Sequence, residues 1–406
     1  MTRPLTTARR SGGTLALVLA VALLAACSTG DDDGPSPGQS TSPGAPTGAD
    51  APTDADAPPG EATGPADGTA SSTAEVPLGV PALAATAEDA AALAALGDWL
   101  SGGLVDGNHA TVTTTDDYLD VGLTIDVGWA LAVAGGYETE VTAIGHWVAD
   151  PAQIATYTGA ADGELYVAAV AKVALALMSD DLSGPLDPDV RHAGLREQLD
   201  RLEGRVQEDG RLTDDSAYGD YSGPYGQALA VIALVKDGFD VAAPNGAVDY
   251  LVGAGCPEGG WPMTFTSPGD LEEANPECVT DIDTTAVALQ ALAVAGGQEA
   301  VLETHLNWLL DLQQADGSWG VEGPSVNTTG VVTSTLAVLR ASGAVDGARL
   351  DVGRVDEAVS AGRAWLRGVQ NTDGGLPIGA TGESDMRAGA QAALGLAGVG
   401  VSGLVG

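Results

Sequence analysis

The chain has 406 residues, with 56 Asp and Glu against 16 Lys and Arg, for a formal net charge of -40. That balance excludes nucleic acid as a partner, because phosphate binding needs stripes of basic side chains; it suits an exported protein kept soluble by self-repulsion. Hydrophobic content of 44% permits a sizeable core, but aromatic content of 4% with only two Phe means a core built mainly of Ala, Val and Leu.

Residues 1–26 read as an export signal: Arg3, Arg9 and Arg10 come first, an apolar run from Leu15 to Ala26 follows, and Leu24-Ala25-Ala26 leads into Cys27. The apolar run is too short for an ordinary membrane span. The segment resembles the lipobox of bacterial lipoproteins, which implies that Cys27 is lipidated and tethers the chain to the extracytoplasmic face of the cell membrane. Residues 27–82 are rich in Gly, Pro, Ser, Thr, Ala and Asp, with no Lys, Arg or aromatic residue up to Pro81. Such a composition cannot bury enough apolar surface to offset its ordering entropy, so a disordered acidic tether is expected.

A folded domain is expected over 83–406, built from six helical hairpins. The first pairs a helix ending at Gly97-Asp98-Trp99-Leu100 with one from Ile125 to Gly136. The second joins His146-Trp147-Val148 to Glu164 through Met178. The third runs from Leu195 through Glu208-Asp209-Gly210 to Tyr225–Lys236, and the fourth from Tyr250-Leu251 through Glu258-Gly259-Gly260-Trp261 to Asp283–Gly296. The fifth has Leu306, Leu309, Leu310 and Leu312, then Gln313-Gln314-Ala315-Asp316-Gly317-Ser318-Trp319, then a helix from Asn327 to near Gly343. The sixth has Trp365-Leu366, Gln370-Asn371-Thr372-Asp373-Gly374-Gly375-Leu376, and Asp385 to Leu396.

The spacing is identical from Tyr250 to Trp261, Trp308 to Trp319 and Trp365 to Leu376, with Glu258, Asp316 and Asp373 in one column, each followed by Gly. A unit of this size cannot bury its own apolar face and must stack on its copies. The second helix of each pair is poor in charge and rich in Ala, as in Thr285 to Ala295, which marks it as packed on all sides; the first is amphipathic. The expected architecture is an all-α, α6/α6 toroid with the Ala-rich helices inside.

The two Gln-to-aromatic phrases at 313–319 and 370–376 resemble the QW repeats of squalene and oxidosqualene cyclases. The resemblance extends to the wider α/α-toroid superfamily of protein prenyltransferase β subunits, complement-type thioester domains and cobalamin carriers. It implies the toroid and leaves the activity open, since one scaffold hosts several chemistries. The cyclase motif DxDD corresponds here to Asp281-Ile282-Asp283-Thr284, which puts Asp283 at the proton donor and replaces the last acid by Thr284. Protonating an alkene needs a strongly activated acid, and the resulting carbocation needs aromatic faces that this composition supplies thinly. For Asp283-Thr284 the alternative is a helix N-cap, with Asn327 and Asp385 in the same column. The zinc ligands of prenyltransferases have no counterpart, because His109, His146, His192 and His305 fall in different hairpins without metal spacing. Gly259 stands where a thioester would require Gln after Cys256. No metal and no cofactor is expected, although Asp116, Asp117 and Asp120 are of the type that hold calcium, without EF-hand spacing.

With Cys27 lipidated, Cys256 and Cys278 are the two remaining thiols of an exported chain, and a disulfide between them is expected. The inner-helix starts gather polar groups at one mouth of the barrel: Asp281, Asp283, Thr284, Asn327, Thr328 and Asp385 form the candidate ligand-binding set, flanked by Thr285 and Thr329. Asp214, Asp215, Tyr218, Asp220, Tyr221 and Tyr225 add to it from the third hairpin. Concave mouths between helices are usual ligand sites, whereas caps and solvated loop charges are the plainer account of the same residues. The expectation is a monomeric surface lipoprotein whose toroid is a non-catalytic module for an unidentified small-molecule or protein ligand. The alternative is an enzyme acting on an isoprenoid-like substrate.

Overall fold

The computed structural model describes residues 83–111, 119–239, 246–265, 278–347 and 349–405. The expected signal, tether and Cys27 lie outside them, as do Asp116 and Asp117. In chain order the helices are α1 (Ala87–Gly102), α2 (Val121–Ala134), α3 (Glu138–Val148), α4 (Pro151–Thr158), α5 (Val167–Met178), α6 (Asp180–Ser183), α7 (Pro188–Glu203), α8 (Pro224–Asp237) and α9 (Ala247–Gly253). They continue with α10 (Ile282–Ala295), α11 (Glu299–Asp311), α12 (Val326–Ala341), α13 (Ala344–Gly347), α14 (Val352–Val369) and α15 (Met386–Ala397). A two-stranded antiparallel ribbon, β1 (Trp261–Pro262) and β2 (Thr280–Asp281), sets Trp261 opposite Asp281.

Six of these helices form a closed inner ring, in which α2, α5, α8, α10, α12 and α15 each pack on the next and α15 returns to α2. The outer members are α1, α3, α7, α9, α11 and α14, so the expected all-α, α6/α6 toroid is the fold. The amphipathic contrast explains the placement. In α14 the buried positions Val355, Ala358, Val359, Gly362, Trp365 and Leu366 recur at helical spacing on one side. In α10 every residue from Thr284 to Leu292 is buried. Small side chains let the inner helices approach closely: a Cβ on Gly330 of α12 would stand 2.7 Å from the Ala392 Cα of α15.

The repeated motif joins one outer helix to the next. Gln313 donates to its own turn at the Gly317 carbonyl and to the Ala358 carbonyl of α14, each at 3.0 Å. One hairpin later Gln370 donates to Gly374 and, across the ring closure, to the Ala92 carbonyl of α1 at 2.9 Å. The acid of the motif stabilises a tight turn, as where Asp316 Oδ1 accepts from the Ser318 N–H and hydroxyl. Gly317 follows at φ 96°, a left-handed conformation that favours glycine. The fully buried Trp319 donates from Nε1 to the Leu309 carbonyl at 2.9 Å, and its N–H reaches the Thr329 hydroxyl of α12. Trp261 does the same with Leu251 and Thr285. Thr285 and Thr329 are therefore anchors for the preceding turn.

At the C-terminal ends of the inner helices the ring is closed by the chain's own tail. Ser402 donates from its N–H and hydroxyl to Gln290 Oε1 of α10, Lys236 of α8 donates to the Val405 carbonyl at 2.9 Å, and Leu404 and Val405 are buried. Among the described residues no helix is long and apolar enough to cross a membrane.

Candidate functional site

Residues 119–120, 159–166, 204–223, 278–281, 312–325 and 370–385 lead into the N-terminal ends of the inner helices. Four of those ends are capped by side chains at one register. Asp120, Asp281 and Asp385 each accept from the N–H three residues on, at 2.8, 2.7 and 2.8 Å, and Ser325 does so at 3.2 Å. The start of α5 is served from another hairpin, with Asp214 Oδ1 accepting from the Val167 N–H at 2.8 Å. The cap expected at Asp283-Thr284 thus lies two residues earlier. The ribbon keeps the chain extended through Asp281, so helical geometry begins at Ile282 and leaves Asp283 within the first turn. Asn327 likewise sits inside its helix behind Ser325, whereas Asp385 is itself a cap.

This register identifies which side chains face the axis. Two residues after the cap stand Gly122, Ala168, Tyr225, Asp283, Asn327 and Arg387; all but Gly122 retain partial exposure although their neighbours are mostly buried. One turn deeper on the same face stand Asp126, Lys172, Leu229, Val287, Val331 and Gln391. The next turn brings Trp129, Leu175, Ile232, Gln290, Ser334 and Leu394, all buried. Along this face partial exposure at the first turn gives way to burial by the third, so the axis opens to solvent only at its rim.

Every inner helix contributes a polar group to that opening. Asp126 of α2 pairs with Lys172 of α5 at 2.7 Å. Arg387 of α15 holds Asp120 at 2.5 Å and lies 4.0 Å from the second oxygen of Asp126. Asn327 of α12 donates to Gln391 of α15 at 3.0 Å. Burial pushes the Tyr225 phenol up, with Asp126 and Asp283 adding to it. Burial above all, with the charge of Asp281 beside it, pushes the Asp283 carboxyl up to about 7, against the opposing effect of the Thr328 hydroxyl. For Arg387 burial opposes the charge, but the carboxylates of Asp120 and Asp126 outweigh it and hold the guanidinium above its ordinary value.

Other candidates from the sequence have structural places. Thr284 is buried, with its N–H on the Asp281 cap. Asp215 bridges to Leu165 through its backbone, and Asp220 accepts from the N–H groups of Asp214 and Ser222 while pairing with Arg211. Tyr218 and Tyr221 are exposed on the same loop. Cys256 and Cys278 form the expected disulfide, with Cα atoms 5.8 Å apart. His305 packs on Trp261 with ring centroids 4.0 Å apart, and burial lowers its pKa to about 4. Among the described residues no cluster of three or more His, Cys, Asp or Glu could hold a metal. The sequence reading missed Asp126, Lys172, Arg387 and Gln391. A charge inside an otherwise apolar inner helix was the available signal for Asp126 and Lys172.

No family model matches the chain. Aligned over 128 residues, the chain is 30% identical to squalene–hopene cyclase of Bradyrhizobium diazoefficiens, with 26% of this chain and 18% of that one covered. A 90-residue stretch is 37% identical to copalyl diphosphate synthase of Streptomyces anulatus, covering 22% of this chain and 14% of the relative. The chain therefore spans less than a fifth of the length of these curated relatives. Among solved structures, an inactive variant of α-1,6-mannanase from Salegentibacter sp. with bound α-1,6-mannotriose superposes with a TM-score of 0.58 at 9% identity, covering 76% of this chain and 98% of that one. A type II terpene cyclase from Scytonema with bound geranylgeranyl dihydroxybenzoate gives 0.52 at 13% identity, covering 78% and 98%. The fold is thus terpenoid cyclase-like, and glycosidases share it.

Proposed function

We propose that the chain is a lipid-anchored extracytoplasmic binding module whose ligand sits in the polar mouth of the toroid. The observation that carries this reading is the convergence of Asp126, Lys172, Tyr225, Asp283, Asn327 and Arg387, one from each inner helix, above a centre filled by side chains such as Trp129, Leu175 and Ile232. A polyene that must fold within a cavity needs depth and apolar walls, whereas a shallow opening rimmed by amides, carboxylates and a phenol suits a polar ligand. The mannanase that shares the fold carries a bound oligosaccharide, which is compatible with a polar ligand on this scaffold. Envelope extract passed over the immobilised chain and over Asn327→Leu tests the site. Loss of a captured small molecule with Asn327→Leu supports the mouth, and equal capture by both contradicts it. For the anchor, Cys27→Ala should release the protein from the membrane fraction; retention there would contradict lipid attachment.

A second reading is favoured by one observation. Asp283 matches the donor position of the cyclase motif and, titrating at about 7, holds a proton in a substantial fraction of molecules at neutral pH. Sequence similarity to squalene–hopene cyclase and copalyl diphosphate synthase points the same way. Incubation with squalene and with geranylgeranyl diphosphate discriminates: a cyclised product that disappears in Asp283→Asn would establish the enzyme, and unchanged substrate would leave the binding module.

A further inference from the structure

We infer that the floor of the mouth is a hydroxyl-recognising subsite, and that the ligand is a neutral polyhydroxylated molecule of the sugar class. The inference rests on the reading that the mouth is the binding site. Its observation is separate: two polar atoms at that floor are enclosed without a hydrogen-bond partner among the described residues. One is the hydroxyl of Tyr157, a residue only 6% exposed; the other is Oδ2 of Asp126, 8% exposed. Leaving such groups unmatched works against the fold.

The fold goes out of its way to put Tyr157 there. The residue belongs to α4, outside the inner ring, and reaches it only because Gly122 has no side chain: a Cβ on Gly122 would stand 2.7 Å from the phenolic oxygen. Gly122 and Asp126 are four residues apart on α2, hence on one face of the helix, so the phenol and the carboxylate are brought to that same face. Phenylalanine would fill the same volume without the hydroxyl.

The chemistry of the surroundings selects the ligand. Tyr157 offers a donor and Asp126 Oδ2 an acceptor, and a ligand hydroxyl can accept from the first and donate to the second. An anion would face Asp120, Asp126, Asp281 and Asp283. A cation would meet Lys172, already 2.7 Å from the other oxygen of Asp126, and Arg387. Above the floor the half-buried Tyr225 and Asn327, and level with it Gln391, present further neutral hydrogen-bonding groups, which suits a molecule with several hydroxyls.

The test is calorimetric titration of the full chain with a panel of neutral mono-, di- and trisaccharides, with inorganic phosphate and choline as charged probes. At least one sugar should bind. Tyr157→Phe should weaken that sugar about five- to tenfold or more, the scale of one lost hydrogen bond to a ligand, while the thermal unfolding midpoint stays the same or rises. A hydroxyl with a purely structural role would instead lower the midpoint on removal. Absence of sugar binding, sugar binding indifferent to Tyr157→Phe, or a lowered midpoint would each overturn the inference. If phosphate or choline binds in its place and Asn327→Leu abolishes that binding, the mouth stands and the sugar class falls. If a sugar binds equally to Asn327→Leu and Tyr157→Phe, the mouth itself is the wrong place.

Discussion

The two ends of the toroid are built on opposite terms. At the C-terminal ends of the inner helices two of the links, 135–137 and 296–298, have only three residues, and the tail packs over this end with buried Leu404 and Val405. At the N-terminal ends the links are long, the first turns keep partial exposure, and ionised groups are set against one another. One end is paid for in packing and the other in polar groups that an apolar barrel could do without. Stability alone would favour two sealed ends, so the open polar one is where a ligand is to be sought.

The largest expected effect comes from breaking the charge balance at the mouth. Lys172→Met leaves Asp126 without its close cation and should destabilise by about 3–5 kcal/mol in urea unfolding, whereas adding Asp126→Leu should recover most of the loss. Failure of the second change to rescue would mean that the pair is needed for more than mutual neutralisation. Ending the chain after Val399 removes Leu404, Val405 and the contacts of Ser402 and should cost roughly 3 kcal/mol. If the mouth is independent of the sealed end, ligand binding by the truncated chain should survive at temperatures where it remains folded. Reduction of Cys256–Cys278, which ties down a mouth loop, should cost about 3 kcal/mol on the chain-entropy model, read as a drop in melting midpoint with reductant.

The pH dependence of stability probes the polar end more finely. Asp283 is raised to about 7, so its neutral form stabilises the fold fully below the ordinary carboxylate range, and that contribution is lost as pH rises through 7. Asp214, raised by burial to about 6, acts in the same direction. His305, lowered to about 4, acts oppositely: its contribution is full above about 6.5 and is lost as pH falls through 4. Comparing wild type with Asp283→Asn cancels the other two. From pH 4 to pH 8 the variant should gain on the wild type by on the order of 2 kcal/mol, after discounting for partial exposure.

The toroid was legible because Gln313, Asp316 and Gly317 do the same structural work as Gln370, Asp373 and Gly374, and identical work leaves an identical register, with Leu376 filling the buried place of Trp319 without its indole hydrogen bond. The mouth was legible only in part. Asn327 and Asp283 were found, but the cap was placed two residues late, since the extended ribbon that ends at Asp281 depends on pairing with Trp261, distant in sequence. Tyr157, Asp126 and Arg387 come from three hairpins, and no local pattern says that Gly122 opens a gap for a phenol. Local repetition writes the scaffold, and the site arises from long-range neighbours.

The claim on which the account turns is that the axis is open at the first turn of the inner helices and filled by the third. Asn327 and Ser334 lie on one face of α12, the first half-exposed and the second 3% exposed. Asn327→Cys and Ser334→Cys, labelled in the native state with a small charged thiol reagent and corrected for the wild-type background, measure it directly. The account predicts rapid modification at 327 and protection at 334 until the protein unfolds. Equal rates at the two positions would reveal an open channel through the ring and would contradict it.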